Sequence, residues 1–268
     1  MSLWGYCSHN GPHTWGDKFP LALGQRQSPI NINSEAAVAD DDLAAQPLQL
    51  DYLARAKLIT NTGSSWKVTL DGPGSVLQGG PLGGDKYRLE QFHCHWGKGT
   101  DEGSEHTVDG ASYPAEIHLV HWNCDKYGSM EEAVDKEDGL VVLGIFLQVG
   151  EEHAELGKIV DLLSRVEHNG DNFFFEQELD PATFLPENKS YWTYGGSLTT
   201  PPCLESVTWI VFKEPVQISE AQLNSFRQLR TYGRLDKQPE DEFEGQIIAN
   251  FRPPVEVGER TVRSCDLN

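Results

Sequence analysis

Two histidines one residue apart, in Gln91-Phe92-His93-Cys94-His95-Trp96-Gly97, can bind one metal ion together if the segment is extended. In a strand, side chains alternate between faces with period two, so His93, His95 and Gln91 share a face. Phe92, Cys94 and Trp96 point to the other side, toward an apolar core. A third histidine comes from Glu116-Ile117-His118-Leu119-Val120-His121-Trp122, where Glu116, His118 and Val120 face one way and Ile117, Leu119 and His121 the other. The 22 residues between His95 and His118 suffice for a loop joining two antiparallel neighbours. Three neutral imidazoles with a fourth position open hold Zn2+ and leave room for a reactive water, with Zn–N bonds of about 2.0 Å; closed structural sites use four ligands, usually including thiolates. A lone histidine is more often a hydrogen-bonded core or surface residue. Here, however, Gln91 and Glu116 stand two residues before the first ligand of each strand, where an oxygen can accept the second ring N–H and fix the tautomer.

The elements that position these groups read as strands. Gly139-Leu140-Val141-Val142-Leu143-Gly144-Ile145-Phe146-Leu147 is a continuous apolar run whose two glycines and β-branched content favour a central strand over a buried helix. Between 48 and 78, Lys57-Leu58-Ile59-Thr60 and Trp66-Lys67-Val68-Thr69-Leu70 alternate with Gly-containing turns, a hairpin signal. Helices are expected at the periphery. Leu156, Ile159, Leu163 and Val166 keep helical spacing, and Ser219-Glu220-Ala221-Gln222 forms a capping box before Leu223 and Phe226. Residues 1–26 show neither period and read as an irregular arm, anchored by Trp4, Tyr6 and Trp15.

With 268 residues and no linker, repeat or low-complexity tract, one domain over 1–268 is expected. A net charge of −20, from 41 acidic against 21 basic residues, argues against nucleic acid and anionic membranes as partners. Met1-Ser2-Leu3-Trp4-Gly5 has no basic stretch leading into an apolar run, and no span of about 18 apolar residues occurs. Five cysteines without a C-x-x-C pair fit a reducing compartment, so the expected location is cytoplasmic.

The motif around His93 and His95, together with Ser104-Glu105-His106-Thr107-Val108-Asp109-Gly110, Ala115-Glu116-Ile117-His118-Leu119-Val120-His121-Trp122-Asn123 and Gly196-Ser197-Leu198-Thr199-Thr200-Pro201-Pro202, closely resembles the α-class carbonic anhydrases of cytosolic type. The resemblance runs from Trp4-Gly5-Tyr6 to Asn250-Phe251-Arg252-Pro253-Pro254. It implies a mainly β fold with short peripheral helices (an α+β roll), built on a twisted, mostly antiparallel sheet of about ten strands, with 255–268 as a C-terminal tail. Ser28-Pro29 is then expected to be cis, and Cys203 a free thiol, because no cysteine stands just before Gln27. The implied reaction is zinc-dependent reversible hydration of CO2 to bicarbonate and a proton, with esterase activity as a side reaction. The pKa of about 7 for the zinc-bound water belongs to carbonic anhydrase itself and comes with the resemblance.

The resemblance also implies site roles. His93, His95 and His118 hold zinc, supported by Gln91, Glu116 and Asn250. Thr199 orients the nucleophile and donates to Glu105. Val120, Val142, Leu198, Val207 and Trp209 line the CO2 pocket, and Thr200 assists bicarbonate. His106, His121 and Cys94 are structural. Sulfonamides and anions are expected as inhibitors at zinc, and the chain is expected to act as a monomer. One departure bears on rate: Ser64 stands where fast family members carry a proton-shuttling histidine, with His9 the first alternative relay. Lys67 and Met130 replace a polar neutral residue and an aromatic at the cleft, which affects inhibitor and ester preferences. The competing class is a catalytically silent binding module on the same fold, disfavoured because His93, His95, His118, Thr199 and Glu105 are all present. A zinc peptidase of another fold lacks its H-E-x-x-H helix.

Overall fold

The computed structural model describes residues 3–53, 55–72 and 74–267. Its spine runs Asn172–Phe174, Arg55–Asn61, Trp66–Asp71, Tyr87–Trp96, Ala115–Asn123, Leu140–Val149, Val207–Phe212, Tyr191–Gly196, Arg263–Cys265, Val38–Ala39. Three further strands pair beside that path, making 13 in the sheet among the described residues. Most neighbours are antiparallel, but Leu140–Val149 pairs in parallel with Val207–Phe212 and Val216–Ile218. The apolar run thus becomes a central strand, buried from Leu140 to Leu147. A strand covered on both faces needs no polar alternation.

Helices are short and peripheral. Ala154–Leu163 buries Leu156, Ile159 and Leu163 against the sheet, and Glu220–Phe226 begins with the reciprocal Ser219–Gln222 capping box. The arm is not wholly irregular. Pro12–Thr14, Trp15–Lys18 and Pro20–Leu23 are single helical turns, too brief to leave a period in the sequence. Trp4, Tyr6 and Trp15 meet edge to face at 5.5–6.0 Å. The segment beyond 255 is more than a tail, since Arg263–Cys265 adds a strand beside Tyr191–Gly196. Ser28-Pro29 is cis, as is Pro201-Pro202.

One irregularity decides where the histidines point. Leu89 lies opposite His121, whereas Gln91 lies opposite Val120, so Glu90 forms a bulge. With unbroken alternation Leu89 would share the face of Gln91. The extra residue lets Leu89 pack in the core while Gln91, His93 and His95 turn to the other face. Glu90 itself accepts a hydrogen bond from Trp122 Nε1 at 2.9 Å.

Candidate metal centre

His93 and His118 are direct cross-strand partners, and His95 follows on the same face. The ring centroids of His93–His95, His93–His118 and His95–His118 are 5.0, 5.3 and 4.6 Å apart. One nitrogen from each lies within 4.8 Å of the others. The remaining nitrogens are engaged. His93 Nδ1 donates to Gln91 Oε1 at 2.9 Å, His118 Nε2 to Glu116 Oε1 at 2.7 Å, and His95 Nδ1 to the Asn250 carbonyl at 2.8 Å. The three tautomers are thereby set so that His93 and His95 offer Nε2 and His118 offers Nδ1.

Two buried atoms here have no hydrogen-bond partner, His95 Nε2 and Glu105 Oε2. A buried orphan nitrogen costs stability unless something binds it, and a cation is what imidazole nitrogens converging from three positions can hold. Burial lowers the pKa of all three imidazoles, that of His95 to about 3 and that of His93 with help from its two neighbours, so all are neutral donors near pH 7. The donor set fits Zn2+.

Glu116 organises the floor. Its Oε2 accepts from the backbone N–H of Glu105 and of His106, both at 2.9 Å, and its Oε1 accepts from His106 Nδ1 at 2.7 Å as well as from His118. Burial raises its pKa, but the two imidazoles outweigh that and leave it well below the ordinary carboxylate range. Gly144, opposite His118 on the next strand, makes room: a Cβ there would stand 3.1 Å from Glu116 Oε1. Two glycines in the central run read from sequence only as a strand signal, and this one clears space for a carboxylate.

Glu105 is fully buried, and its Oε1 accepts from Arg252 N at 2.8 Å. Burial pushes its pKa well up, against the Thr199 hydroxyl and the Arg252 N–H. Thr199 therefore lies close enough to Glu105 for its hydroxyl to act on the carboxylate. Oε2 lies 3.9 Å from His118 Nδ1, so positive charge at the triad would restore the ionised form.

The apolar residues gather beside the triad. Val120, Val142, Val207 and Trp209 are buried in one cluster with Leu198 packed against it. Val142 lies opposite Val120 on one side and Trp209 on the other, and the Trp209 ring is 4.8 Å from that of His118. Thr200 is half-buried next to Thr199. His121 lies on the reverse face, its Nε2 2.8 Å from the Tyr52 hydroxyl. Cys94 is in the core on that face too.

Ser64 is half-exposed in the turn between Arg55–Asn61 and Trp66–Asp71. Its hydroxyl is 3.1 Å from Thr62 Oγ1, and its carbonyl accepts from Asn250 Nδ2 at 2.7 Å. Asn250 thus links the turn to His95. Lys67 is the cross-strand partner of His93, and its charge bears on that imidazole.

Three contributors were not assigned to the site from sequence. Arg252, nearly fully buried, donates to Gln27 Oε1, the Ser28 carbonyl and the Ala22 carbonyl while its N–H holds Glu105. Tyr194 places its hydroxyl 2.6 Å from His106 Nε2. Tyr6 feels the Glu105 charge, which adds to burial in raising its pKa. None sits in a metal-ligand pattern, so spacing offers no signal for them.

The chain is similar to known proteins over nearly its whole length. Residues 10–266 match the family model of eukaryotic-type carbonic anhydrase. Carbonic anhydrase 7 of Homo sapiens and of Mus musculus are each 47% identical over 97% of this chain and 96% of their own length. Carbonic anhydrase 1 of Mus musculus is 46% identical over 97% of both.

Proposed function

Because the chain belongs to the eukaryotic-type carbonic anhydrase family, a family of carbonate dehydratases, we propose that His93, His95 and His118 hold one Zn2+ and that the cleft above them hydrates CO2 reversibly. The observation that carries this reading is the buried His95 Nε2 without a partner, one of three ring nitrogens turned to a common point. Zinc, when bound, supplies a Lewis acid that makes water nucleophilic at neutral pH.

The chain's own groups do the rest. Gln91, Glu116 and the Asn250 carbonyl hold the imidazoles in place. Val120, Val142, Leu198, Val207 and Trp209 give CO2, which has no strong hydrogen-bonding handle, an apolar seat. Thr199 donates its proton to Glu105, leaving Oγ1 only lone pairs to offer. It therefore accepts a hydrogen bond from the nucleophile and aims a nucleophile lone pair at carbon. Thr200 hydrogen-bonds the bicarbonate formed. Addition of water to CO2 also releases one proton, which must reach solvent past Ser64. Sulfonamides and small anions compete at the zinc, Lys67 favouring anions. The working form in this reading is a monomer, and its location the cytoplasm, the latter supported by five free cysteines. Among the described residues no helix is long and apolar enough to cross a membrane.

Stopped-flow CO2 hydration, with and without a zinc chelator, tests the reading; activity untouched after complete zinc removal contradicts it. Thr199→Ala is expected to keep its zinc and lose about 100-fold in kcat/KM, the scale of removing one positioned polar group from a transition state. An unchanged rate would mean Thr199 does not orient the nucleophile. Gln91→Ala is expected to weaken zinc binding by about 10–100-fold, read by competition with a chromophoric chelator, and an unaltered affinity would remove Gln91 from the support of His93.

A further inference from the structure

We propose that Cys7, His9 and Glu242, with Asp241 beside them, form a second cation site, specific for a zinc-like divalent ion, that ties the N-terminal arm to the 241–245 turn. The Cys7 thiol sulfur, an imidazole nitrogen of His9 and a carboxylate oxygen of Glu242 all lie within 4.8 Å of one another. Tetrahedral binding at about 2.3 Å to sulfur and 2.0–2.2 Å to nitrogen and oxygen puts ligand atoms somewhat closer, a closure that two exposed side chains can make by rotation. His9 and Glu242 are exposed, so an ion has a path in, while Cys7 forms the buried floor. The Asp241 charge also bears on the thiol, which puts a further carboxylate near the three donors, and the fourth position is left to solvent.

Both halves of the site are built by other bonds. On the arm, Cys7 N donates to Asn10 Oδ1, Gly5 N to the Asn10 carbonyl, and Trp15 Nε1 to the carbonyls of Gly5 and Asn10. Across from it, Asp241 Oδ1 accepts from the N–H groups of Phe243 and Gly245. Ser8, between the two arm ligands, donates to Glu242 through both N and Oγ across 234 positions of chain. A carboxylate has about four acceptor positions, so Glu242 keeps lone pairs for an ion.

The donor chemistry selects the ion. One sulfur, one imidazole and carboxylate oxygens suit Zn2+, Cd2+ or Co2+ over Mg2+ and Ca2+. An ordinary thiol is mostly protonated near pH 7. Binding replaces that proton: Cys–SH and M2+ give Cys–S–M+ and H+. The triad contains no sulfur, so the two sites are spectroscopically separate.

The experiment titrates the zinc-loaded chain with Cd2+, following thiolate-to-cadmium charge-transfer absorbance and released protons. The expected result is one added Cd2+ and about one proton per chain, with a higher Tm because the ion binds the folded state alone. Cys7→Ser should abolish the charge-transfer band, and Glu242→Gln should weaken binding at least about 10-fold. Both variants should keep the zinc of the triad and the CO2 hydration rate of the parent, showing that they fold. The proposal is overturned if the parent gives no band, if the band persists in Cys7→Ser, or if Glu242→Gln and His9→Ala bind Cd2+ as the parent does, which would reduce the site to a bare thiol.

Discussion

Replacing His95 by Ala is expected to lower zinc content from about one ion per chain to near zero and to abolish CO2 hydration with it. The two donors left, His93 and His118, come from different strands and leave a half-open site that cannot compete with buffer for zinc. Equilibrium dialysis followed by metal analysis reads the outcome. The control is His121→Ala. Its imidazole lies on the reverse face against Tyr52, so zinc content should not change. That variant should instead lose stability, about 1–3 kcal/mol for leaving the buried hydroxyl without its partner. Equal zinc loss in both variants would show that the face assignment is wrong. Full activity in zinc-free His95→Ala would remove the metal from the reaction.

Ser64→His is expected to raise kcat in weak buffer by several-fold or more. The reaction yields a proton at each turnover, and a hydroxyl with no pKa near neutrality cannot take it up and release it as an imidazole does. Direct transfer from an acid of pKa about 7 to water, taken against a diffusional recombination constant of about 10^10 M^-1 s^-1, proceeds at roughly 10^3 s^-1. The corresponding carbonic anhydrase rate, with its shuttle in place, is about 10^6 s^-1. Proton export should therefore limit kcat in this chain. In the parent, kcat should climb with the concentration of an imidazole-type buffer, while kcat/KM stays nearly constant because CO2 hydration precedes the transfer. A parent already as fast in weak buffer as in strong, with nothing gained from the histidine, would mean that another group carries the proton. His9 is then the first candidate, exposed on the arm with its ring near Cys7 and Glu242. Cd2+ held there would silence it, which a combined measurement can detect.

Alternation over Gln91–His95 and Glu116–Val120 was legible in the sequence because a strand maps residue parity directly onto face. That arithmetic suffices to put three imidazoles on one surface and to send Cys94 and His121 away from it. The central apolar run and the Ser219 cap were legible for similarly local reasons, since burial on both faces and a reciprocal cap each leave a short, fixed signature. Longer motifs carried the family resemblance, and with it the roles expected of Thr199, Glu105 and the pocket residues.

Other features depend on residues that meet only after folding. The bulge at Glu90 resets the parity that would have placed Leu89 beside Gln91, and no residue type there announces it. The acceptor for His95 is the carbonyl of Asn250, 155 positions away; the family resemblance implied Asn250 as a support, but nothing in its type or spacing ties a backbone carbonyl to His95. Arg252 stands in the stretch that ends the family resemblance with no role attached, and only folding buries it, holding Glu105 with its N–H and the arm with its guanidinium. Cys7, His9 and Glu242 likewise become a cluster only when the arm folds back on the 241–245 turn. Sequence by itself determined the kind of chemistry, because ligand type and strand parity are local properties. Tertiary structure alone decided what completes the support that Gln91 and Glu116 begin and what else lies near it, because hydrogen bonds to distant carbonyls, buried charges and cross-chain clusters depend on distances that spacing along the chain does not encode.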